Sequence, residues 1–78
     1  MTRRRFKVIL EWDPEDSVWV TTVPALNHLS TFAETKDEAL AQTRDAILGY
    51  IEAAAKEQIP LPEADAQFEL VEVEVVTA

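Results

Sequence analysis

The chain has no cysteine, one glycine, one histidine and one methionine among its 78 residues. Without cysteine, no disulfide and no thiolate metal site can reinforce the fold. With one glycine, Gly49, a glycine-rich phosphate loop is excluded. The one histidine, His28, has no serine, cysteine or second histidine at a recognisable motif spacing, so it reads as a surface loop residue. No apolar run approaches the roughly 18 residues that a membrane span requires. The basic start, Met1 to Arg5, leads into an alternating pattern rather than the apolar segment of a signal peptide, so a cytoplasmic location is expected. Positive charge is also scarce. Seven Lys and Arg stand against fifteen Asp and Glu, a net charge of -8. Such a surface repels phosphate backbones, favours a basic partner and keeps a small protein dispersed.

A chain of this length fits a single domain over 1–78. At this size folding buries only about 60–65% of the surface the unfolded chain exposes. Further stability must come from helix packing, sheet regularity or self-association.

What is present is a succession of strand and helix patterns. From Arg5 to Asp13 the residues alternate, with Phe6, Val8, Leu10 and Trp12 on one face and Lys7, Ile9 and Glu11 on the other. Asp13-Pro14-Glu15-Asp16-Ser17 reads as a turn. Val18 to Val23 is β-branched and aromatic, hence a second strand paired in a hairpin, which Pro24 ends. A third short strand is expected over Leu29 to Ala33. Thr35-Lys36-Asp37-Glu38 has the form of a capping box. From it Ala39, Leu40, Thr43, Ala46, Ile47, Tyr50, Ile51 and Ala54 recur at helical spacing, and Pro60 and Pro62 stop the helix. Gly49, mid-helix, is expected to pack closely on the sheet. Phe68 to Val76 reads as a last strand whose alternation switches parity near Leu70, through a bulge or burial on both faces. The expected fold is α+β, in the order β-β-β-α-β: an antiparallel sheet with one long helix packed on one face.

The second strand is apolar on both sides, with Val18 and Val20 on one and Trp19 and Val23 on the other. One helix covers one face of a sheet. The other face is then expected to be covered by a second copy or a partner protein, with Trp19 and Val23, and Glu11 and Asp13, as the interface residues.

These residues carry a family likeness. Phe6-Lys7-Val8-Ile9-Leu10, the acidic turn Asp13-Pro14-Glu15-Asp16, Trp19-Val20-Thr21-Thr22-Val23-Pro24-Ala25-Leu26 and Thr35-Lys36-Asp37-Glu38-Ala39-Leu40 together resemble the HicB-like antitoxin domain over Phe6 to Glu52. The resemblance implies a truncated ribonuclease H-like fold and an antitoxin that neutralises a small basic, RNA-cleaving HicA-like toxin by direct binding. The alternative is a stand-alone oligomeric regulatory or structural domain without a toxin. Where the family has glycines, Asn27-His28 and Ala33-Glu34 stand here, which implies changed backbone angles in that loop. Only Thr77 and Ala78 follow Val76, so DNA binding by this chain alone is not expected.

No catalytic residue, cofactor or metal site is expected. Glu11 and Asp13 sit where a ribonuclease H-type metal ligand could stand, but two-metal chemistry needs more converging carboxylates and a basic groove for nucleic acid. Arg3-Arg4-Arg5 reads as a solvated terminus.

Overall fold

The computed structural model describes residues 3–78. Its hairpin is set by the turn that joins the first two strands. The Asp13 carboxylate accepts the Glu15 amide at 3.0 Å and the Asp16 amide at 3.4 Å, and Ser17 takes a left-handed φ of 54°. This turn connects β1 (Ile9–Asp13) to β2 (Val18–Val23), paired antiparallel from Asp13↔Val18 to Ile9↔Thr22. At Pro24 the chain leaves the ladder into a 3-10 turn, Pro24–Leu26, that carries Leu26 into the core at 1% exposure. Asn27 and His28, both at φ 58°, then reverse the chain into β3 (Leu29–Ala33), antiparallel to β2. Positive φ is therefore present at Asn27 and His28 without glycine, and Ala33 and Glu34 do not adopt it. Asn and His are among the residues that tolerate the left-handed region best. The sheet order is β1-β2-β3.

The single helix, α1 (Lys36–Glu57), begins as its sequence requires. The Thr35 hydroxyl accepts the Glu38 amide at 3.2 Å, and Asp37 and Glu38 place negative charge in the first turn. It ends before either proline. Gln58 adopts a left-handed φ of 58°, and the amides of Gln58 and Ile59 bond the carbonyls of Ala55 and Ala54, a Schellman closure. The helix packs on β3 and β2 through Ala39, Thr43 and Ala54, which are buried, and Ala46, Ile47, Tyr50 and Ile51, which are partly so. The expected stripe is thus the packed one, except that Leu40 stays 43% exposed. Gly49 departs from expectation. It lies on the outer side, and a Cβ there would meet nothing within 4 Å.

Three hydroxyls sit at the centre of the helix–sheet contact. Thr21 of β2, Thr31 of β3 and Thr43 of α1 approach one another, at 2.7 Å for Thr21–Thr31 and 2.9 Å for Thr31–Thr43, with Thr21 and Thr43 also in contact. Thr43 donates to the Ala39 carbonyl one turn earlier at 2.7 Å. Each hydroxyl has one proton, so with that of Thr43 committed the other two fill two of the three mutual contacts at a time. Among the described residues no buried side-chain polar atom lacks a partner.

Two strand expectations are corrected. The first strand begins at Ile9 rather than Arg5: β2 ends at Val23 and gives way to the Pro24 turn, which offers residues 5–7 no ladder partner. Their neighbour is the chain's far end. The Arg4 guanidinium donates to the Pro62 carbonyl at 2.7 Å, and Lys7 gives its amide to the Asp65 carboxylate at 2.8 Å and its ammonium to the Ala66 carbonyl at 3.1 Å. The two segments rise together in number, so they run parallel. The last strand, expected over Phe68 to Val76, is unpaired, and Leu70, Val71, Val73, Val75 and Val76 are each at least 71% exposed. A β pattern forms a ladder only where a partner edge is in reach, and here the segment leaves the body. The observed order is β-β-β-α.

Candidate protein-interaction surfaces

Which side of the sheet the helix covers follows from the turn. Four residues, Pro14 to Ser17, separate the paired Asp13 and Val18, so even positions of β1 face the same way as odd positions of β2. The helix side therefore carries Leu10 and Trp12 with Trp19, Thr21 and Val23, continued by Leu29, Thr31 and Ala33. The open side carries Ile9, Glu11 and Asp13, then Val18, Val20 and Thr22, then Ser30 and Phe32.

The four expected interface residues consequently fall on two sides. Val23 is fully buried beneath α1 and cannot meet a partner, which corrects its assignment. Trp19 is half-buried on the same side; its ring lies 5.3 Å from that of Trp12, tilted by 57°, and the Lys36 ammonium stands 4.7 Å above it. Glu11 and Asp13 do lie on the open side, where the Asp13 carboxylate also holds the turn. Val18 and Val20 replace Trp19 and Val23 as the apolar residues of the uncovered face. Phe32, opposite Val20 and 66% exposed, joins them. Sequence reasoning missed Phe32, although the hairpin register was enough to place it. This face has two carboxylates, and its three strands contain no lysine or arginine.

A second surface lies at the other edge of the core. α1 packs mainly on β3 and β2, and its residues on the far side face the segment that precedes β1. A groove of about 590 Å³ opens there, lined by Arg4, Phe6, Arg44, Ile47, Leu48 and Ile51, with Leu48 59% exposed.

His28 is exposed in its turn. Among the described residues no three His, Cys, Asp or Glu side chains come together to hold a metal ion, and no helix is long and apolar enough to cross a membrane. What the surfaces offer is apolar area bordered by charge, the makings of protein contact.

No protein-family model matches the chain. Over 63 residues it is 38% identical to UPF0150 protein Ta0767 of Thermoplasma acidophilum, a similarity that covers 81% of this chain and 90% of that protein.

Proposed function

The chain belongs to the UPF0150 family, and we propose that within it this protein is a HicB-like antitoxin module that neutralises a small, basic, RNA-cleaving HicA-like toxin by direct binding. The observation that carries this reading is the open sheet face. Val18, Val20 and Phe32 present apolar area beside Glu11 and Asp13, with no basic residue on the three strands. A basic protein meets there both a desolvated contact and charge of opposite sign, and the net charge of -8 steers its approach. Nucleic acid meets repulsion. The β-β-β-α order and the motifs between Phe6 and Glu52 support a truncated ribonuclease H-like fold used as a binding scaffold.

Co-expression with a HicA-like toxin tests the reading. The expected result is co-purification and relief of toxicity, both weakened at least about tenfold by Val20→Lys, which places a cation on the binding face. Absence of any complex at micromolar concentration sinks the antitoxin reading and leaves a stand-alone oligomeric domain.

A further inference from the structure

The segment after Phe68 has the composition of a strand and the surroundings of a tail. Val71, Val73 and Val75 share one parity and Glu72 and Glu74 the other, and the three valines are 71–79% exposed. Eight residues, Glu69 to Val76, span about 26 Å as a strand, more than the roughly 17 Å of β1. The segment lies away from the body. The longest axis of the molecule is 54 Å, well beyond the roughly 33 Å of its 22-residue helix. The radius of gyration is 15.4 Å, where a compact chain of this length has about 11–12 Å.

The same molecule has a vacancy of matching form. Among the described residues β1 is an edge strand with no partner on its outer side, and beside the segment that leads into it a groove lined by Arg4, Phe6, Arg44, Ile47, Leu48 and Ile51 opens against α1, wide enough to take the inner face of an added strand. Charge matches as well. Glu69, Glu72 and Glu74 stand on the arm without a basic residue, while the groove carries Arg4 and Arg44 and no acidic residue. The arm of the same chain does not occupy its own groove.

We infer that Glu69–Val76 is an exchange arm: in a two-fold dimer each arm adds as a fourth strand along β1 of the second copy, with Val71, Val73 and Val75 in that copy's groove. Reciprocal exchange is isologous, so it closes at two chains and leaves no arm free. It covers both the edge that invites uncontrolled pairing and the exposed valines. It leaves the open face of Val18, Val20 and Phe32 untouched, so it does not depend on the antitoxin reading.

The test combines light scattering after size exclusion with amide hydrogen exchange, each over a range of protein concentration. The expected result is a species of twice 8.8 kDa in which the amides of 69–76 and of β1 are protected together and lose protection together on dilution. Val73→Lys is expected to raise the dimer dissociation constant at least about tenfold by placing an ammonium in a groove that already holds Arg4 and Arg44. It should leave the helical circular dichroism intact, since residue 73 is exposed in the single chain. A monomer overturns the inference, whether its arm amides are open or are protected independently of concentration by docking on their own chain. So does a dimer whose arm amides exchange freely.

Discussion

Val18–Val23 and Val71–Val76 are two short stretches written in the same β-branched alphabet, and they end in opposite places. Val23 has no exposed surface and Val73 is 79% exposed. Propensity does not separate them. The first has a partner on each side, β1 and β3, and a helix above it. The second has no partner strand among the described residues. Strand propensity describes fitness for a pleated, half-buried surface, and the surface must come from elsewhere.

The sharpest way to break this contrast is to remove side-chain volume from each region. Leu26→Ala opens a cavity next to Val23 and should cost about 2–5 kcal/mol in chemical denaturation. Val73→Ala, measured at protein concentrations low enough to keep the chain monomeric, should stay within about 0.5 kcal/mol of the parent. Equal losses at the two positions would mean that the arm is packed on its own chain.

Much of this contrast was legible in the residues, and what was not has a physical reason. β2, β3 and the capped start of α1 lie where alternation, Pro24 and Thr35 put them, because those signals are local. Phe68–Val76 shows the limit: alternation records that two faces would differ in burial, and it does not say which edge supplies the hydrogen bonds. Trp19 and Val23 lie on the helix side for a related reason. The sides of Trp12 and Trp19 cannot be related while each strand is read by itself, whereas the four-residue turn pairs them directly. Val18 and Val20 are more apolar than Thr21, yet the helix covers Thr21. A hydroxyl that finds two others and a carbonyl is buried without penalty, and no single strand shows that.

The threonine cluster therefore tests the buried side of the comparison on its own terms. Thr43→Val keeps the shape, removes the hydroxyl that binds Ala39 and leaves Thr21 and Thr31 short of a partner. It should cost about 1–3 kcal/mol. Replacing Thr21, Thr31 and Thr43 together by valine should cost less than that single change, since no buried polar group is then left unpaired. A triple variant whose loss equals the sum of three single losses would show that the hydroxyls stabilise the core rather than merely satisfying one another.

A smaller effect sits where the helix hands over to the exposed half of the chain. Gln58 closes α1 from a left-handed conformation that costs a side-chain-bearing residue roughly 1 kcal/mol or more. Gln58→Gly removes that strain and keeps the backbone bonds from residues 58 and 59, so a gain of about 1 kcal/mol is expected by thermal or chemical denaturation. A loss instead would mean that the Gln58 side chain has a partner in the assembled protein.

The smallest expected effect is also the one that tells the two sides of α1 apart most directly. Thr43 faces the sheet, and Gly49 faces open space with room for a methyl group. Gly49 does not need positive φ. Nothing in the single chain therefore requires glycine there, and Gly49→Ala should stabilise the helix by about 0.5–1 kcal/mol through a smaller entropy loss on folding. The comparison becomes sharper if the measurement is made twice, once dilute and once at high protein concentration. A gain under both conditions leaves the outer face of α1 free. A gain that turns into a loss as the protein associates would place a second chain against Gly49, and would move the dimer contact from the edge of the sheet to the back of the helix.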